Sequence, residues 1–391
     1  MKKRLSMMLV FILFLNIFSF DFVKGEETNK DITLEIESPS AVLMEAKSGK
    51  VLYEKNMNEK RFPASTTKIM TLLLIYEAVE KGQISWDDKV VVSEHAASMG
   101  GSQVFLEPNE EQTVATMTKC IAVASANDAS VAMAEHIVGS EEEFVKLMNE
   151  KAKELGMKDT HFVNASGLHD ADHVTSAYDI ALVSRALITK YPEIHKLTTI
   201  WQDHIIHKTR RGEEEFGLTN TNNLIKWYPG ANGLKTGFTP ESMYCLSGTA
   251  ERDGLSLIAV VMGAKSKQAR NSEVAKMLNY GFANFTIIKG QPAGTVVGTV
   301  EVAKGNPDTV EGVIKKEVQL LVNKKLANEK IEFKLELPES IQAPVTKGMK
   351  IGEIVYIFKG KEIARSDIVA ATDVKKAGFK EMVNSLLKNW F

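Results

Sequence analysis

RFPASTTKIMT, residues 61–71, sets a serine and a lysine three positions apart, just after a proline and just before the apolar run IMTLLLIY. On a helix, positions i and i+3 share a face, so Ser65 and Lys68 would lie side by side at the first turn, where unpaired backbone N–H groups also point. Such a pair can make a nucleophile, because a serine alkoxide needs a base and an adjacent neutral amine can serve. The same spacing suits a helix-capping serine followed by a solvated lysine. It also recurs as SLLK at residues 385–388, inside an amphipathic stretch, so spacing alone does not separate the two readings.

The 391 residues are 44% hydrophobic and 25% charged, which allows a sizeable core and more than one domain. Lys2, Lys3 and Arg4 precede the apolar run MMLVFILFLNIFSF, with Gly25 as a cleavage point beyond it. This is the pattern of an export signal over residues 1–25, and the run is short for a bilayer span. Removing the segment takes away four cations and Asp21, so the formal charge moves from −2 to −5. That balance excludes a nucleic-acid partner, since phosphate binding needs a basic face. Cys120 and Cys245 are too few for a disulfide scaffold; one bridge outside the cell is open, and two buried free thiols are the plainer expectation.

The pattern divides the chain. Residues 32–286 mix strand-like runs such as LSLIAVVMG with helix-like ones such as VATMTKCIAVASANDASVAMAEHIVG, which predicts one large α/β or α+β domain. From residue 288 to about 371 strand alternation takes over. Ile331, Phe333, Leu335 and Leu337 alternate with Glu332, Lys334 and Glu336, giving one apolar and one wet face and hence a small all-β domain. Residues 373–391 change period again: Phe379, Met382, Val383, Leu386, Leu387 and Trp390 recur at helical spacing among lysines, the pattern of an amphipathic helix on a membrane surface.

What separates RFPASTTKIMT from its decoys is company. SAN (Ser125, Ala126, Asn127) follows inside a helix-like pattern, and KTG (Lys235, Thr236, Gly237) enters a later strand-like run. KSG at residues 47–49 precedes the serine and reads as a turn between two strands. The ordered set Ser-x-x-Lys, Ser-x-Asn, Lys-Thr-Gly is the signature of penicillin-binding proteins and serine β-lactamases. With HFVNASGLHDADHVTSAYDIA, GANGLKTGFT and the trailing β domain, the chain resembles the serine-type D-alanyl-D-alanine carboxypeptidases, the low-molecular-mass penicillin-binding proteins.

The resemblance implies a transpeptidase-like domain in which an antiparallel sheet is flanked by helices. It implies removal of the terminal D-alanine from peptidoglycan pentapeptides, covalent inhibition by β-lactams, no cofactor, and a place outside the cytoplasmic membrane. By the same resemblance Ser65 is the nucleophile, Lys68 its base and Ser125 a proton shuttle. Asn127 orients Lys68 and the substrate backbone, and Lys235 and Thr236 hold the substrate's terminal carboxylate. Gly237 lets substrate lie against the strand edge, the N–H groups of Ser65 and Phe238 form the oxyanion hole, and Arg270 is a further carboxylate contact or a solvated surface residue.

A free lysine titrates near about 10.4, so holding Lys68 neutral at pH 7 costs roughly 4.6 kcal/mol unless burial or a second cation does so. HDADH, residues 169–173, has metal-like spacing but sits in a polar turn without a third ligand, so no metal is expected. Residues 99–110 either line the site or form a plain surface loop. Two other classes stay open: a serine β-lactamase, which would need an added acidic residue for fast deacylation, and a non-catalytic wall-binding protein, against which the intact motif residues argue.

Overall fold

The run 61–71 does open a helix, but later than its spacing implies. The computed structural model, which describes residues 34–209, 212–327, 329 and 331–378, puts Ala64–Thr67 in a 3-10 turn and starts α1 (Lys68–Glu80) after it. The expected export signal and positions 379–391 of the expected terminal helix lie outside the described residues.

Ahead of α1, β1 (Ser40–Glu45) and β2 (Val51–Lys55) form a hairpin around the KSG turn. Then come β3 (Lys89–Val91), α2 (Glu94–Ala97), β4 (Glu111–Thr113), α3 (Val114–Val123), α4 (Asn127–Val138), α5 (Glu141–Glu154), α6 (Ala177–Lys190) and α7 (His195–Thr198). The hairpin of β5 (Gln202–Thr209) and β6 (Gly212–Thr219) and the short α8 (Leu224–Trp227) lead to β7 (Ala231–Thr239), β8 (Met243–Arg252), β9 (Leu255–Ala264) and α9 (Lys267–Asn284). Ser140, Ser176 and Ser266 cap α5, α6 and α9 by accepting a backbone N–H three residues on. Gly139 closes α4 in the left-handed region at φ 91°.

The main sheet runs β2-β1-β9-β8-β7, antiparallel throughout, with Ser40 opposite Met262 and Glu45 opposite Leu257. Strand β9, LSLIAVVMGA, is buried along its whole length, which requires cover on both faces. Ile258, Val260 and Met262 join residues of α1 and α6 in the main core. Leu257 points the other way onto α9, where a Cβ on Gly281 would stand only 2.5 Å from it. The order leaves β7, which carries KTG, at the edge of the sheet beside the 64–67 turn.

Beyond α9 come β10 (Phe285–Lys289), β11 (Val296–Ala303), β12 (Gly305–Asn306), β13 (Thr309–Ile314), β14 (Gln319–Asn323), β15 (Glu332–Glu336), β16 (Ser340–Gln342), β17 (Lys350–Phe358), β18 (Lys361–Ala370) and β19 (Lys375–Lys376). Six of them form a sheet of order β15-β17-β18-β13-β11-β16 around Val300, Val310, Ile354, Tyr356 and Ile368. The alternation at 331–337 marks a strand as expected, but β15 is a sheet edge, so Phe333 stays 50% exposed while Ile331, Leu335 and Leu337 pack partly on the core. The first residues assigned to the tail helix are extended instead. Val374 bridges Val345 and β19 pairs with β12, which satisfies their backbone groups on the β domain.

Candidate active site

Ser65 does not cap α1. The residue before the helix is Thr67, no side chain caps there, and Ser65 sits half-buried within the 3-10 turn. Pro63 and Ala64 bend the chain sharply. Ala64 takes φ 47°, a region alanine rarely enters, and Thr66 returns both its N–H and its hydroxyl to the Pro63 carbonyl.

Lys68 is not solvated. It is fully buried, with Nζ 3.1 Å from Ser65 Oγ, 2.6 Å from Asn127 Oδ1 and 2.5 Å from the Ser166 carbonyl. Burial, and then the charge of Lys235, hold its pKa well below the usual lysine range, while Asp128 pulls the other way. The geometry fits the neutral amine. Two N–H donors meet the two obligatory acceptors, Asn127 Oδ1 and the Ser166 carbonyl, and the lone pair is left for the Ser65 hydroxyl.

Ser125 lies buried between α3 and α4 at φ 63°, two residues ahead of Asn127. The chain from residue 99 to 110 lines this side through its backbone: Asn127 Nδ2 donates to the Gly100 carbonyl at 2.6 Å and the Asn127 N–H to the Ser102 carbonyl at 2.7 Å. The Asp128 carboxylate accepts from the N–H groups of Val104, Leu106 and Ala129. Burial still raises its pKa.

On β7, Lys235 is buried and donates to the Thr236 carbonyl at 3.1 Å. Burial first, and Arg270 second, push its pKa down to about 7. Thr236 Oγ1 donates to Thr221 Oγ1 at 2.7 Å. The missing side chain of Gly237 answers to the protein itself, since a Cβ there would stand 2.9 Å from the Pro63 carbonyl oxygen and 3.1 Å from Ser65 N. That contact lets the edge strand close on the nucleophile's turn. Phe238, 50% exposed, packs at 4.4 Å on the Tyr244 ring. Arg270 is buried, unlike a solvated arginine; it faces Tyr244 at 5.8 Å and donates to Asn271 Oδ1 and the Cys245 carbonyl, with no carboxylate partner among the described residues.

Sequence reasoning missed the main-chain acceptors at Ser166 and Gly100 and the partner Thr221, and it weighed His173 only as one end of a metal-like spacing. The Val163 N–H donates to His173 Nδ1, so Nε2 carries the proton toward Thr67 Oγ1 at 3.0 Å and props the start of α1. Burial lowers the His173 pKa to about 4. His169, the other end of HDADH, packs instead on Phe62 at 4.8 Å. Cys120 and Cys245 are both buried free thiols.

Lys68, Lys235 and Arg270, each with its pKa held down by burial, thus lie close to a half-buried serine at the edge of an antiparallel sheet. A family model of D-alanyl-D-alanine carboxypeptidases matches residues 25–266. The chain belongs to this family. A second model, the C-terminal domain of penicillin-binding protein 5, matches residues 285–376. The D-alanyl-D-alanine carboxypeptidase DacF of Bacillus subtilis is 45% identical over 392 residues, covering 100% of this chain and 99% of the relative. Penicillin binding protein 5 from Haemophilus influenzae superposes with a TM-score of 0.73 at 32% identity, over 87% of this chain and 98% of that one. Penicillin-binding protein D2 from Listeria monocytogenes, solved in an ampicillin-bound form, aligns with a TM-score of 0.53 at 33% identity, over 64% of this chain and 99% of its own. The activity is that of a serine-type D-Ala-D-Ala carboxypeptidase, and the two-part fold is shared with the Haemophilus structure.

Proposed function

We propose that Ser65 Oγ attacks the carbonyl carbon between the two terminal D-alanines of a peptidoglycan pentapeptide. Lys68 Nζ takes the hydroxyl proton, and Ser125 relays a proton to the departing nitrogen. The C–N bond breaks, free D-alanine leaves, and an ester remains on Ser65. Water then attacks the ester with Lys68 again as base, the ester C–O bond breaks, and the Ser65 hydroxyl is restored. The N–H groups of Ser65 and Phe238 receive the oxyanion, a role supported by the close approach of Gly237 to Ser65 N. Lys235, Thr236 and Arg270 take the terminal carboxylate, and Asn127 holds Lys68 and the substrate backbone.

The observation that carries this reading is the buried Lys68, whose two nearest acceptors leave its lone pair facing Ser65 Oγ. Penicillin should acylate the same serine, as the ampicillin-bound Listeria relative suggests for the family. The Asp128 carboxylate is engaged by three backbone N–H groups and is not free to activate water, so the adduct should persist while peptide turns over. The enzyme works on the outer face of the cytoplasmic membrane, held there by the amphipathic stretch at the C-terminus.

Mass spectrometry tests the chemistry. D-alanine should be released from a D-Ala-D-Ala-ended pentapeptide, and benzylpenicillin should add its mass to the peptide holding Ser65. Labelling that survives Ser65→Ala, or penicillin hydrolysis without peptide turnover, would reject the assignment.

A further inference from the structure

Lys304, Lys347, Lys375 and Lys376 gather at one end of the β domain, where the described chain stops. Lys375 and Lys376 pair with Asn306 and Gly305, and the Ala377 N–H donates to the Lys304 carbonyl at 2.7 Å. Val374 bridges Val345, and the Lys347 N–H donates to Asp373 Oδ1 at 2.7 Å. All four lysines are exposed, and Met349 nearby is 43% exposed.

None of the four side chains forms an ion pair with a described carboxylate. Lys315, Lys350 and Arg365, on the sheet of the same domain, each do. These four charges are left without a described counter-charge, which an anionic partner would supply. The chain leaving this spot carries the apolar positions Phe379, Met382, Val383, Leu386, Leu387 and Trp390 at helical spacing. An apolar segment that emerges among unpaired lysines suits a bilayer surface, with the segment at the acyl boundary and the amines at the lipid phosphates.

We propose that this end of the β domain is a membrane-contact surface in its own right, in which Lys304, Lys347, Lys375 and Lys376 bind the phosphate headgroups of anionic lipid. The proposal rests on the reading of the tail as a membrane-seeking segment and adds an orientation to it: the domain stands on its β12–β19 end.

The test compares two full-length double variants. Lys304→Gln with Lys347→Gln removes charge from the surface. Lys324→Gln with Lys361→Gln removes the same charge elsewhere; Lys361 opens β18, whose far end at Ala370 bonds Gly348 and Met349 beside the exit. Sedimentation with vesicles of equal parts phosphatidylglycerol and phosphatidylcholine reads the affinity. A lysine near an anionic surface contributes about five-fold, so the first variant should bind roughly 25-fold more weakly and the second nearly as the parent. Parent-like binding by the first variant, or equal weakening by both, overturns the proposal, as does an equal effect on vesicles of phosphatidylcholine alone. Deleting residues 379–391 tests the tail separately: undiminished binding of the truncated chain rejects the tail reading, and the two lysine pairs compared in that background still judge the surface. Benzylpenicillin labelling of every variant confirms that it is folded.

Discussion

Replacing Gly167 with alanine asks whether the turn that carries Ser65 is held in place from outside. Gly167 takes φ 82°, and a Cβ there would fall 1.9 Å from the Ala64 carbonyl oxygen, 2.4 Å from the Ala64 carbonyl carbon and 2.9 Å from Thr67 Oγ1. Real Cβ atoms essentially never come within 3.0 Å of such neighbours, so the two segments must part by about 1.1 Å, the difference between 3.0 and 1.9 Å. The nearest obstacles are backbone atoms, which cannot swing aside as a side-chain tip can. Ser166, one residue earlier, supplies the carbonyl that Lys68 Nζ reaches at 2.5 Å, so the shift acts on the nucleophile's turn and on its base together.

A displacement of about 1 Å at reacting groups lowers rates on the order of 10²-fold, and that is the loss expected in acylation by benzylpenicillin. The left-handed backbone adds about 1–2 kcal/mol against alanine, and the melting temperature should fall by roughly 2–8 °C. Quenched-flow acylation followed by intact mass, with a thermal melt alongside, measures both. Parent-like acylation and melting would refute the clash. A lowered melting temperature with a normal acylation rate would show that loop and turn are not coupled to the chemistry.

Lys68→Arg keeps the charge but cannot shed its proton near neutral pH, so acylation should fall by on the order of 10³ in a single-turnover assay; a near-normal rate would make the lysine structural. Lys235 titrates at about 7 in the folded chain and near about 10.4 when unfolded, so across that window the unfolded chain holds a proton the folded one has lost, and parent stability rises with pH. Lys235→Met removes this burden and should raise the melting temperature at pH 7 by at least about 2–4 °C, with the gain fading toward about pH 10; an unchanged or lower value at pH 7 counts against it. Asn127→Asp puts a carboxylate where Oδ1 now lies 2.6 Å from Lys68 Nζ, which should raise the lysine pKa and move the acidic limb of the acylation profile toward higher pH. A limb that stays put would mean that Lys68 is not the titrating base.

Much of the architecture was legible because it rests on repetition. The apolar run LSLIAVVMG read as a strand, though not as one inside the sheet and buried on both faces, and alternation at 331–337 marked a strand, though not that it lies at an edge. The site was legible through an ordered set of three short motifs, which brought out Ser65, Lys68, Asn127 and Lys235 although 59 residues separate Lys68 from Asn127. What was not legible has a common cause. Ser166 and Gly100 act through main-chain carbonyls, which every residue carries, so no side-chain pattern announces them.

The sequence by itself determined which chemical groups the chain owns and the order in which the motif residues come, because side-chain identity and period are local properties. Only the tertiary structure decided how those groups behave. Lys68 is a candidate base because residues from 65, 127 and 166 enclose it and Lys235 repels its proton. Gly237 is needed because the edge strand closes on Ser65 N, and Arg270 is a desolvated cation rather than a surface charge. A pKa and a steric limit depend on whatever stands within a few ångströms, and folding sets those neighbours from distant parts of the chain.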